Sequence, residues 1–121
     1  MIRTHGLTHI SLRVADPERS MRFYATCFGL EEYYRDDASI QAKGSGTMDI
    51  FAFERAPKRA GKRGGVDHFG FRLVDPEDID HAVNTVISAG GKLLRRGEFA
   101  PGYPYAYVED PDGYEIEIWF E

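Results

Sequence analysis

The chain is poor in the residues that mark a stapled, membrane-bound or nucleic-acid-binding protein. Only one of its 121 residues is a cysteine, Cys27, so no disulfide forms within the chain and a reducing, cytoplasmic setting is expected. No apolar run approaches the roughly 20 residues needed to cross a bilayer, and the amino end has no signal-peptide core, so no membrane partner is expected. An excess of positive charge is also missing, and a net charge of −5 argues against general affinity for nucleic acid. The one basic stretch holds Arg55, Lys58, Arg59, Lys62 and Arg63. It reads as a solvated linker, with the steering of an anionic small molecule as the alternative. The length is that of a single domain with one hydrophobic core.

What the chain does have is a phrase written twice. His9-Ile10-Ser11-Leu12-Arg13-Val14-Ala15-Asp16-Pro17-Glu18 returns as His68-Phe69-Gly70-Phe71-Arg72-Leu73-Val74-Asp75-Pro76-Glu77. Two copies are too few for a solenoid, so they indicate a duplicated half-domain. In each copy the histidine and arginine alternate with apolar residues at the period of a half-buried strand. Both histidines therefore lie on the polar face, and the two are expected to converge where the halves meet.

Asp16 and Asp75 then read as N-caps, each followed by a proline at the first helical position. The spacing predicts helices over Pro17–Phe28 and Pro76–Ala89, closed by Gly29 and Gly90. The apolar stripes expected are Met21, Tyr24, Cys27 and Phe28 on the first, and Ile79, Ala82, Val83, Val86 and Ile87 on the second. Strands are predicted at Glu31–Arg35, Ser39–Lys43, Met48–Glu54, Lys92–Arg96, Tyr105–Glu109 and Tyr114–Phe120. The turn Asp110-Pro111-Asp112-Gly113 joins the last two. The expected fold is α+β: two tandem βαβββ modules, residues 1–56 and 66–121 around a basic linker at 57–65. Together they should form a curved, partly closed mixed sheet with helices on its outer face.

On the last strand, Ile116, Ile118 and Phe120 take the core face, which leaves Glu115, Glu117 and Trp119 facing the same way as the histidines. Matching Met48-Asp49-Ile50 to Ile116-Glu117-Ile118 makes Asp49 the counterpart of Glu117. Two imidazoles with one or two carboxylates form a nitrogen and oxygen ligand set suited to Ni, Zn, Co, Mn or Fe. By the same parity Arg13 and Arg72 share the ligand face, where each would bind a substrate carboxylate or form a structural ion pair. Phe51, Tyr105 and Trp119 are candidates to line an apolar substrate pocket.

Four stretches carry a resemblance. They are Thr8–Val14, Arg19–Tyr24 with Phe28-Gly29-Leu30, Asp67–Phe71, and Asp110-Pro111-Asp112-Gly113-Tyr114-Glu115-Ile116-Glu117. Through them the chain resembles the vicinal oxygen chelate superfamily of glyoxalase I, extradiol dioxygenases, methylmalonyl-CoA epimerase, and the fosfomycin- and bleomycin-resistance proteins. The resemblance implies a divalent metal held from strands one, four, five and eight, at His9, Asp49, His68 and Glu117. The wording is nearest to glyoxalase I, although that enzyme has a glutamate at the strand-four position. The resemblance implies an isomerisation through an enediolate, with Glu117 as the catalytic base. It also implies a glutathione or CoA conjugate as substrate, and a homodimer. The alternatives are an epimerase, a small extradiol dioxygenase that uses two histidines and one glutamate on iron, and a metal-free bleomycin-resistance-type binding protein.

Overall fold

The computed structural model describes residues 1–46 and 48–121. Elements follow in the order β1 His9–Val14, α1 Pro17–Phe28, β2 Glu31–Arg35, β3 Ser39–Lys43, β4 Ile50–Arg55, β5 Phe69–Arg72, α2 Ile79–Ser88, β6 Lys92–Glu98, β7 Pro104–Glu109 and β8 Glu115–Trp119. The chain divides into two compact units, Met1–Ala60 and Gly61–Glu121. Each is a βαβββ arrangement with one four-stranded mixed sheet, ordered β1-β4-β3-β2 and β5-β8-β7-β6, and neither sheet closes into a barrel.

In the first unit β1 runs parallel to β4, and the remaining neighbours are antiparallel. Helix α1 lies over β3 and β4. It starts where the Asp16 carboxylate accepts the Glu18 N–H at 3.0 Å, with Pro17 losing nothing at a position that has no intrahelical donor. It stops at Gly29, whose φ of 67° is the left-handed region that glycine enters without strain. The core under it holds Leu12, Val14, Phe23, Tyr24 and Phe53. Tyr24 stacks on Phe53 with ring centres 5.1 Å apart. Phe23 is buried although it lies outside the expected stripe.

In the second unit β5 is parallel to β8, and α2 packs against β6, β7 and β8. The expected single helix from Pro76 is two elements. Asp75 caps the Glu77 N–H at 2.9 Å and opens a 3₁₀ turn over Pro76–Asp78, and the α-helix begins only at Ile79. Ile79, Val83 and Val86 are buried, whereas Ile87 is half exposed. At about 100° per residue, Ile87 falls roughly 80° round the helix from Ile79, on the rim of the stripe. No helix of the described residues is long and apolar enough to cross a membrane.

Candidate metal centre

Each repeat delivers its histidine at the start of a parallel strand, and the alternation then sets what faces what. Along β1, His9, Ser11 and Arg13 are exposed while Leu12 and Val14 are buried. His68 stands one residue before β5 and is followed on its face by Gly70 and Arg72. Strand β8 runs alongside, pairing Gly70 with Glu117 and Arg72 with Trp119.

This register brings His68 and Glu117 together. The His68 imidazole Nε2 lies 3.1 Å from Glu117 Oε2, and its Nδ1 lies 2.6 Å from the Asp67 carboxylate. The Tyr107 hydroxyl, opposite Glu117 on β7, donates to the other carboxylate oxygen at 3.0 Å. The Tyr107 ring stands edge-on to the imidazole, centres 5.1 Å apart, and the Arg95 guanidinium covers its face at 3.9 Å. Two residues along β8 on the same face is Glu115, buried and accepting from Arg63 and from Arg95 at 2.7 Å each.

The electrostatics follow from these contacts. The Asp67 carboxylate raises the His68 pKa above the ordinary value, burial opposes it, and the charge of Glu117 reinforces it. The bond to His68 in turn lowers Asp67. Burial raises the Tyr107 hydroxyl, and its donation to Glu117 raises it further. Burial alone would raise Glu115, but the two arginines together outweigh it and hold the carboxyl below its usual range.

Among the described residues no three His, Cys, Asp or Glu side chains cluster in a way that could hold an ion. The pair nevertheless suits a metal. Two ligands about 2.1 Å from one ion stand about 3.0–3.4 Å apart at octahedral to tetrahedral angles, which brackets the 3.1 Å between His68 and Glu117. A carboxylate on the far ring nitrogen is the usual device for fixing a ligating imidazole, and Asp67 supplies it. With carboxylates at both nitrogens the ring favours its cationic form, so a divalent ion at Nε2 would replace that proton.

The first unit holds the other candidates and corrects one alignment. His9 pairs with Ile50, Ser11 with Ala52 and Arg13 with Glu54. Since Ser11 repeats as Gly70, the counterpart of Glu117 is Ala52 rather than Asp49. The match of Met48-Asp49-Ile50 to Ile116-Glu117-Ile118 is therefore displaced by three residues. Asp49 precedes β4, and its side chain lies against Gly44, where an added Cβ would meet the Asp49 Cβ and Oδ2 at 2.8 Å. Phe51 is also corrected: it is buried 5.7 Å from Tyr24, on the helix-covered face, and does not line a pocket on the histidine face. Arg13 lies 4.0 Å from Glu54, as an ion pair within its own sheet.

On the histidine face of the second unit, Arg72 lies over Trp119 at 5.1 Å, and Tyr105 pairs with Trp119 from β7. Tyr105 crosses Gly97, where an added Cβ would come within 2.8 Å of its hydroxyl. Sequence reasoning did not assign roles to Asp67 and Arg95 beside His68 and Glu117. The adjacency Asp67-His68 was the one local signal; Arg95 gave none.

Residues 6–118 match the profile of the Glyoxalase/Bleomycin resistance protein/Dioxygenase superfamily. The chain belongs to this superfamily. A probable lactoylglutathione lyase of Synechocystis sp. is 29% identical over 124 residues, covering 93% of this chain and 92% of that protein. A probable chloroplastic lactoylglutathione lyase of Arabidopsis thaliana is 27% identical over 93% of this chain, which spans only 35% of that protein's length. Among solved structures, the fosfomycin resistance protein FosX of Listeria monocytogenes superposes with a TM-score of 0.82 at 19% identity, covering 98% of this chain and 95% of that one. At that identity the likeness is one of fold.

Proposed function

We propose that this superfamily member is a divalent-metal-dependent lyase or isomerase of the glyoxalase I type. It would act on a small substrate with neighbouring oxygens, such as a glutathione or CoA conjugate. The observation that supports the reading is the 3.1 Å approach of His68 Nε2 to Glu117 Oε2, with Asp67 on the other ring nitrogen. His9 is proposed as the third donor, from this chain or from a second copy in a homodimer. Asp49 is the weakest candidate ligand, because Ala52 takes the register position that matches Glu117. A bound ion would polarise the paired substrate oxygens and acidify the C–H on the carbon next to the carbonyl. The chain's own residues do the rest. Asp67 keeps Nε2 directed at the ligand position, Tyr107 anchors one oxygen of Glu117, and Glu117 moves the proton between adjacent carbons.

Ala52 also favours a second reading. Without a strand-four carboxylate the remaining set is two histidines and one glutamate, the set expected of an extradiol dioxygenase on iron. Against it, the stretch Glu98–Tyr105 before the Asp110–Gly113 turn holds no histidine that could serve as an acid/base. Assaying the metal-loaded protein for lactoylglutathione formation from methylglyoxal and glutathione decides between them. Turnover supports the isomerase. No turnover with the metal bound removes the glyoxalase label, and ring cleavage of a catechol would then establish the second reading.

A further inference from the structure

The two copies of the repeated phrase differ in how they treat their arginines. In the first unit Arg13 is opposite Glu54 and pairs with it at 4.0 Å. In the second, the corresponding Arg72 is opposite Trp119, and its guanidinium lies over the indole at 5.1 Å. The partner strand thus offers an aromatic face where its counterpart offers a neutralising carboxylate. Arg72 has no carboxylate partner among the described residues. An indole face steadies a guanidinium and leaves its N–H edge directed outward, where it can meet an oxyanion in a fork.

A second difference between the copies makes room for this arrangement. The first unit has Ser11 opposite Ala52; the second has Gly70 opposite Glu117. An added Cβ at Gly70 would approach the Glu117 carbonyl oxygen at 2.9 Å and the Trp119 indole Nε1 at 3.3 Å. Glycine therefore lets Trp119 lie across the strand between Glu117 and Arg72. Tyr105 lies beside the indole and packs on Phe99 with ring centres 4.6 Å apart, extending the aromatic floor.

We propose that Arg72, backed by Trp119, is a subsite for an oxyanion of the ligand, a carboxylate or phosphoryl group. It lies two strand residues, about 7 Å, from the level of Glu117. The substrate is then a small acid whose body crosses Gly70 and the indole. Its part in turnover rests on the metal-dependent reading above; its binding of an oxyanion does not.

Trp119 is the single tryptophan, so its emission reports on this subsite directly. The test titrates the full chain, in chelator and at constant ionic strength, with inorganic phosphate and separately with acetate. The expected result is a saturable change in Trp119 emission with at least one of them. Saturation by phosphate alone assigns a phosphoryl ligand, and saturation by acetate a carboxylate. Arg72→Gln should weaken the response at least tenfold, Arg72→Lys should fall between, and Arg13→Gln should titrate as the wild type. His68→Ala should retain the response while losing Mn(II) uptake, which separates this subsite from the metal site. No saturable change in the wild type, or an Arg72→Gln variant that titrates like it, would overturn the proposal. A response that persists in a protein that never takes up metal would sustain the subsite and remove only the metal-dependent reading.

Discussion

Replacing Glu115 by Gln tests whether its ion pairs with Arg63 and Arg95 brace the second unit's polar face. The carboxylate is buried and takes two charge-assisted hydrogen bonds of 2.7 Å, from Arg63 and Arg95. Bonds to charged groups contribute about 1.5–3 kcal/mol each. The side chains of Arg63 and Arg95 are 41% and 55% exposed and regain water when released, so the sum is reduced. Glutamine also keeps one acceptor for one guanidinium. A net loss of about 2 kcal/mol at neutral pH follows, and for a domain of this size a fall of roughly 6–12 °C in Tm. The sign with pH is fixed by the arginines, which hold the Glu115 carboxyl below its ordinary value. Its contribution is fully present above the unfolded-state pKa and is lost as the pH falls through the folded one. The gap between wild type and variant should therefore close in acid. Denaturant unfolding followed by circular dichroism at several pH values measures it. A variant within about 0.5 kcal/mol of wild type at neutral pH, or a gap unchanged in acid, would show that the Glu115 ion pairs do not stabilise the fold.

Other consequences are more local. Asp67→Ala should lower the His68 pKa, visible in the imidazole proton shifts, and weaken metal binding about 10–100-fold, since the ring loses its orienting partner. An unmoved His68 titration would show that Asp67 does not set that imidazole. Burial pushes the Cys27 thiol up to about 11 from 9.0, leaving about a hundredfold less thiolate near neutral pH. A more basic thiolate is also more nucleophilic, so alkylation of the native protein should run roughly tenfold to a hundredfold slower than of the unfolded chain. Equal rates would contradict the burial.

How much of this was legible in the sequence depended on whether the signal was local. The bounds of α1 were readable because Asp16-Pro17 and Gly29 mark its ends within a few residues. Strands β2 and β3 were placed at their observed limits. The tight 3₁₀ opening at Pro76 was not, since capping residues announce that a helix starts but not how many residues its first turn takes. Strand β4 failed for a different reason. Met48-Asp49-Ile50 imitates Ile116-Glu117-Ile118 in hydropathy, but register is set by pairing with β1, which no window along the chain contains. His68 and Glu117 were found together because the alternation that leads into β5 and runs along β8 was clear. Arg95 escaped because an exposed basic residue on an edge strand acquires meaning only when Glu115 and Tyr107 are seen beside it.

His68 and Glu117 are proposed to hold a divalent ion together. Titrating the full chain with Mn(II) after chelator treatment, and following the free ion by electron paramagnetic resonance, tests it most directly. Saturable binding of one ion per chain is expected, abolished in His68→Ala and in Glu117→Gln, and weakening as the pH falls and the imidazole nitrogen is protonated. Failure of the wild type to bind Mn(II), Zn(II), Ni(II), Co(II) or Fe(II), or retention of full affinity in both variants, would contradict it.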